Sequence, residues 1–269
     1  MEFPVYLYVG SWRIHPHVLF EALAYFIGFR VYLWTRRPSS MSKLMSLQIL
    51  AGTIAGAALG SKLLFWLEDP VATWEQLRQF NLLWGGKTIV GGLLGGLIGV
   101  ELTKRWVGWK HSTGDDFVYP LILGMALGRV GCFLTGLDDH TYGTPTTWVT
   151  GVDFGDGILR HPTQLYEMVF LAVLALLLYP LYRQSRGRGL PSSLDGYVSG
   201  RMFQWFMAGY LLFRLVMEWI KPTPHPYFGL NNIQLACIAG LIYYGWLIAV
   251  KDKDKLRRSG TVPDSDLPS

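Results

Sequence analysis

Charge is what this sequence most lacks. Only 16% of its 269 residues are Asp, Glu, Lys or Arg, where soluble domains carry roughly 25%. With 51% hydrophobic residues and a mean hydropathy of +0.26, the deficit points to a lipid environment. Cysteine is nearly absent as well. Cys132 and Cys237 both fall in apolar stretches, where a thiol behaves as a small hydrophobe. From two cysteines so placed, neither a disulfide framework nor a metal site is expected, and no cofactor is expected. The opening MEFPVYLYVGSWRIHPH lacks the basic start, apolar core and small-residue cleavage site of a removable signal peptide. No internal repeat is visible. The formal charge of +5 would suit nucleic acid only if the basic residues shared one solvated face. They lie in short runs between apolar stretches, so nucleic acid is excluded as a partner.

Long apolar runs are what the sequence does have. A bilayer core about 30 Å thick needs about 20 apolar helical residues. Seven stretches qualify: 17–35, 46–68, 86–103, 117–136, 163–182, 200–220 and 232–250. The expected fold is therefore an all-α polytopic membrane protein of about seven transmembrane helices. One domain spans 1–250, with outer loops at 69–85 and 137–162, and a charged, disordered tail covers 251–269. Basic residues follow the odd-numbered spans: Arg36, Arg37 and Lys43, then Lys104, Arg105 and Lys110, then Arg183, Arg186 and Arg188, then Lys251, Lys253, Lys255, Arg257 and Arg258. By the positive-inside rule the N-terminus is outside and the C-terminus cytoplasmic.

Ionisable groups at membrane depth are costly and mark function by default. The fourth span ends GRVGCFLTGLDDHTYG, which sets Arg129 in an apolar run beside Gly124, Gly128 and Gly131. Arg129 reads either as a structural partner of a carboxylate or as a guanidinium for a lipid phosphate, which its bidentate fork suits. In the sixth span Tyr210, Arg214 and Glu218 recur every four residues on one helix face, with Lys221 three residues further. An intrahelical Arg214–Glu218 pair is the plain alternative. The fifth span opens RHPTQLYE, grouping His161, Gln164, Tyr166 and Glu167 at its entrance. In the third, Gly91, Gly95 and Gly99 show the small-residue spacing of closely packed membrane helices. GGKT there lacks the upstream glycine of a nucleotide-binding loop and leads into a span, so nucleotide binding is rejected. Lys87 remains available to an anionic head group.

Together these fragments resemble the prolipoprotein diacylglyceryl transferase family. GRVGCFLTG is similar to its signature G-R-x-G-N-F-x-N-G, and RHPTQLYE to R-H-P-S-Q-L-Y-E. YLLFRLVMEWIKP is similar to Y-G-L-F-R-F-x-V-E-F-x-R-x-P. LNNIQLACI, GGKTIVGGLLGG and LGSKLLFWLEDP also find counterparts, all in family order. The resemblance implies a bacterial inner-membrane enzyme that moves a diacylglyceryl group from phosphatidylglycerol, or another anionic phospholipid, to the cysteine of a prolipoprotein signal peptide. Arg129 and Arg214 take the places of its phosphate-handling arginines. Glu218 joins them as catalytic. Lys87, Gly128, Gly131, Gly143, His161, Gln164, Tyr166, Glu167, Tyr210 and Lys221 fall at lipid-binding positions.

Four departures stand out. Val90 occupies the place of a family histidine, Cys132 that of an asparagine and Lys221 that of an arginine. LDDHTYG replaces E-x-x-G. With Val90 unable to accept a proton, His140 is the expected base, oriented by Asp138 or Asp139, since imidazole suits proton transfer near neutral pH. A polar loop capped by its own aspartates is the alternative reading of that segment. A sister transferase with a different acceptor, or a non-catalytic lipid-binding or transport relative, would also fit these departures.

Overall fold

The computed structural model describes residues 3–76, 86–186 and 199–258. Parts of the expected outer loop 69–85, the basic loop near 188 and the end of the tail lie outside the described residues. Among the described residues, seven long helices and one short one carry the fold. A small hairpin, β1 (Leu7–Val9) and β2 (Trp12–Ile14), leads into α1 (Pro16–Thr35). Pro16 suits a helix start, where its missing N–H costs nothing. Ser42 caps α2 (Lys43–Trp66) by accepting from the Met45 amide. Short α3 (Pro70–Gln76) follows. α4 (Ile89–Val107) stops at Gly108, whose φ of +77° suits a residue without Cβ. α5 (Val118–Thr135) runs into a 3-10 turn, Gly136–Asp139. A second hairpin, β3 (Val152–Asp153) with β4 (Leu159–Arg160), precedes α6 (Thr163–Arg186). α7 (Arg201–Met217) and α8 (Asn232–Arg258) complete the chain.

The helices begin and end close to the expected spans, and the two tiny hairpins are the departure from an all-helical chain. α8 departs further, because it continues to Arg258 through residues expected to be disordered. The run KDKDKLRR holds no glycine or proline and mostly good helix formers, so nothing ends the helix there. Among the described residues, five helical segments are long and apolar enough to cross a membrane: Pro16–Thr35, Lys43–Trp66, Gly114–Asp139, Thr163–Ser185 and Asn232–Val250. α4 carries Glu101, Lys104 and Arg105 near its end, and α7 has only 17 residues. Their outward surface is strongly apolar. Trp34 is 83% exposed and Leu176 75%, a surface that only a lipid or protein partner would cover.

Packing divides the bundle into pairs. α2 packs most extensively on α4, α1 on α5, and α7 on α8. The α2–α4 seam is built from facing glycines: a methyl group at Gly56, Gly60, Gly91, Gly95 or Gly99 would overlap a carbonyl of the other helix. Gly92 and Gly96 look instead at Ala57, Ser61 and Thr53 at ordinary distance. The core proper gathers Val90, Val118, Leu171, Phe206, Tyr210, Leu211 and Cys237. At the end opposite the site, buried Asp115 accepts from the amides of Gly200 and Phe203 at 2.6 and 3.0 Å. It thereby satisfies the orphan donors at the start of α7.

Candidate active site

The polar residues collect at one end of the bundle, where α1, α4, α6 and α8 begin and α2, α5 and α7 end. Two linked clusters form there. The inner one is a buried chain of alternating charge. Glu167 on α6 stands at its centre: Oε2 meets Arg129 Nη2 at 2.8 Å and Arg214 Nη1 at 3.3 Å, and Oε1 accepts from the Tyr210 hydroxyl at 2.8 Å. Arg214 also grips Glu218 one turn along α7. Lys221 approaches Glu218 at 3.7 Å, and Asn231 donates to its other oxygen at 3.0 Å. Asn231 and Gln234 exchange hydrogen bonds at the start of α8.

Every charged member of this chain is nearly removed from solvent. Three cations face two carboxylates within the chain, and the half-buried carboxylate of Glu68 lies within electrostatic reach of Arg214, Glu218 and Lys221. Arg129 Nε, Arg214 Nε and Gln234 Nε2 are buried donors without a hydrogen-bond partner, and Gln164 Oε1 is an acceptor without one. Buried polar groups are ordinarily paired, so these unmatched donors stand out beside the two arginines. Burial, reinforced by Arg214, lowers Lys221 to about 8, well under the ordinary lysine value.

The outer cluster lies between α1 and the turn after α5. His17 Nδ1 meets Asp139 Oδ1 at 2.8 Å, and Asp139 Oδ2 accepts from Thr141 Oγ1 at 2.5 Å. Thr141 accepts in turn from Gln164 Nε2 at 3.1 Å. The other face of His17 looks at Glu21, with Nε2 3.6 Å from Oε2, and Lys87 bonds Glu21. Cys132 connects the clusters: Arg129 Nη1 is 3.9 Å from its sulfur.

This arrangement gathers most of the residues singled out from sequence. Arg129, Arg214, Glu218, Glu167, Tyr210 and Lys221 share the inner chain. Gln164, Asp139 and Lys87 belong to the outer one. His161 does not reach the arginines: its Nδ1 pairs with the Tyr166 hydroxyl at 3.1 Å, which meets Thr150 at 2.7 Å. Gly143 is wedged between the backbones of His161 and Ile220, donating to the His161 carbonyl at 2.8 Å. Gly131 lets α1 pass close at Phe20 and His17, whereas Gly128 faces open space.

His140 lies at the surface. It has φ +53° and closes the 3-10 turn through its amide to the Leu137 carbonyl. That turn aims Asp139 inward, where its two oxygens meet His17 and Thr141, and leaves Asp138 exposed. Val90 is 1% exposed and packed in the core. The residues that sequence reasoning passed over are His17 and Glu21. Glu21 was findable, being the only acidic group between positions 17 and 35, an ionisable residue at membrane depth.

Comparison with known proteins decides the lineage. Residues 4–250 match the family described as prolipoprotein diacylglyceryl transferase. The chain belongs to that family. Among curated relatives it is 30% identical over 263 residues to the phosphatidylglycerol–prolipoprotein diacylglyceryl transferase of Bordetella parapertussis, covering 91% of this chain and 89% of that one. The enzyme of the same name from Glaesserella parasuis is 29% identical over 81% of this chain and 79% of its own length. The one from Methylobacillus flagellatus is 29% identical over 87% and 88%. Cys132 and the Asp138–Asp139–His140 segment lie on or next to the outer cluster, Val90 is packed in the hydrophobic core, and Lys221 belongs to the inner chain.

Proposed function

We propose that this protein transfers the diacylglyceryl group of phosphatidylglycerol to the thiol of a prolipoprotein cysteine and releases glycerol-1-phosphate. Family membership supports the reaction class. The observation that carries the donor side is the pair of buried arginines fixed on one carboxylate, with guanidinium donors left over. In the reaction a sulfur attacks the glycerol carbon that bears the phosphate. The C–O bond breaks, and the leaving phosphate gains negative charge. Arg129 and Arg214 stabilise that charge from a dry, fixed position, where such donors count most. Glu167 holds both guanidinium planes, Tyr210 holds Glu167, and Lys221 adds a further positive charge. Gln164 offers its free oxygen to a glycerol hydroxyl.

The same reading makes all seven long helices spans. α4 and α7 are shorter or more charged than the rest, and they pack between apolar neighbours. Loop charge puts the active end outside, in a bacterial inner membrane, where a signal peptide emerges. A sister transferase with a different acceptor is the second reading, favoured by the altered outer cluster beside an inner chain of which only Lys221 departs. Incubating the purified protein with phosphatidylglycerol labelled in its head group and a lipobox peptide separates the two. Glycerol phosphate release matched by a heavier peptide supports the first. Release with an unmodified peptide supports the second, and no release sinks both.

A further inference from the structure

The outer cluster contains three different metal-ligating groups from three elements. His17 opens α1, Cys132 closes α5, and Asp139 ends the 3-10 turn. Their ligand atoms all lie within 4.8 Å of one another. Tetrahedral zinc with bonds of about 2.0 to 2.3 Å sets its ligand atoms roughly 3.3 to 3.8 Å apart, so ordinary side-chain adjustment brings this trio to that spacing. We infer that His17, Cys132 and Asp139 form a zinc site whose fourth position takes the acceptor thiol. The inference rests on the transferase reading of the neighbouring charge chain, and it names the group that activates sulfur there.

Two further observations point the same way. Histidines that bind metals through one ring nitrogen almost always present the other to a carboxylate or carbonyl. Here Nδ1 faces Asp139 and Cys132, while Nε2 faces Glu21, itself held by Lys87. Asp139 is likewise steadied through its second oxygen by Thr141. The cluster also borders a wide-open cavity of about 310 Å³, lined by His15, His17, Val18, Thr135, Asp138 and Asp139. His15 Nδ1 is buried without a hydrogen-bond partner. A three-ligand site opening on a cavity is the form of a catalytic zinc centre, not of a closed structural one.

The chemistry fits what the chain has lost. Val90 cannot take a proton from an acceptor thiol, and the exposed His140 has its amide, not its ring, engaged in the turn. Zinc deprotonates a coordinated thiol outright. The acceptor would enter the fourth position and release its proton to water in the cavity. Its sulfur then forms a bond to the glycerol carbon, and the C–O electron pair leaves with glycerol phosphate. No oxidant or reductant is consumed. Cys132 lies 3.9 Å from Arg129, so the activated sulfur and the departing phosphate would be served by adjacent groups.

Metal content tests this without relying on activity. Full-length protein purified from zinc-supplemented cells should hold about one zinc per chain, as a three-ligand site requires. Loaded with Co²⁺ instead, it should show a thiolate-to-cobalt charge-transfer band. Cys132→Ser should abolish the band, whereas Cys237→Ser, altered in the helix core, should keep it. His17→Gln and Glu21→Gln should weaken metal affinity, the second by about 10-fold or more. If Cys132→Ser fails to fold, the His17→Gln titration decides. Protein without zinc and without the cobalt band, yet releasing glycerol phosphate undiminished by chelator, would overturn the metal site and leave the transferase standing. Bound zinc with no transfer to any thiol would overturn the thiol-activating role together with the transferase reading.

Discussion

Two helix seams in this bundle achieve close packing by opposite means. Between α2 and α4 the contact is made by glycines at four-residue spacing that bring backbone against backbone, with only small side chains such as Thr53, Ala57 and Ser61 beside them. Between α5, α6 and α7 the contact is a chain of buried charges running through Arg129, Glu167, Arg214 and Glu218. The first seam costs little and does nothing but hold. The second removes several charges from water, each a penalty of several kcal/mol that only good geometry offsets. A membrane bundle does not need such a seam for cohesion, since α2 and α4 manage without one. Arg129 Nε and Arg214 Nε remain unpaired within the charged seam, and the proposed phosphate would meet them.

Breaking the glycine seam should have the largest effect. Gly95→Leu puts a branched side chain against the Gly56 carbonyl, where even a methyl group overlaps backbone. Folded protein should be lost, as read by detergent-solubilised yield and size exclusion; recovery of monodisperse protein would show that the seam has slack. Gly92→Ala, which meets only ordinary contacts, should fold normally in the same assay.

Breaking the charged seam at its hub should cost activity first and stability second. Glu167→Gln leaves two arginines without their shared carboxylate. Removing one partner of a buried pair costs about 3–5 kcal/mol, so melting temperature should fall clearly and turnover should all but vanish. An unchanged melting curve would mean that water or lipid already compensates these cations.

Lys221 makes the seam sensitive to pH. It is surrounded by Arg214, Glu218, Arg129 and Glu167, and burial lowers it to about 8. Above that pH the folded protein has shed this proton while an unfolded lysine would still hold it. Folding stability therefore does not fall for this group as pH rises, but the attraction for phosphate does. Phosphatidylglycerol binding should weaken as pH passes about 8, and Lys221→Arg should abolish that step. A binding profile unaffected by the arginine would assign the step to another group.

The smallest effect is expected at His140. Exposed, with its amide and not its ring engaged in the turn, it should tolerate alanine with less than about a tenfold loss of turnover, short of the 10²-fold usual for a lost general base. A larger loss would return the base to the 3-10 turn.

How much of this was legible follows from the range of the interactions. Helix positions were readable because bilayer thickness imposes a length on each apolar run. Arg129, Arg214 and Glu218 were readable because charge at membrane depth is conspicuous, and the family motif grouped them. The central place of Glu167 was not, since it depends on how α6 faces α5 and α7. His17 meets Asp139 across more than a hundred residues, and no local pattern links them. The sequence pairs Asp139 with His140 by adjacency, but in the 3-10 turn Asp139 meets His17 and Thr141 while His140 is exposed. The role of Asp115 at the head of α7 was hidden for the same reason.

The central claim is that Arg129 and Arg214 hold a phosphate and do not merely close a salt bridge. The most direct measurement is the initial rate of glycerol phosphate release by Arg214→Lys, with folding verified by its melting curve. Lysine keeps the charge and can still pair with Glu167, but it cannot reproduce the fork. The expected result is a folded protein whose rate falls by about 10²-fold or more, the scale of a lost transition-state donor. A folded Arg214→Lys protein turning over at the wild-type rate would contradict it.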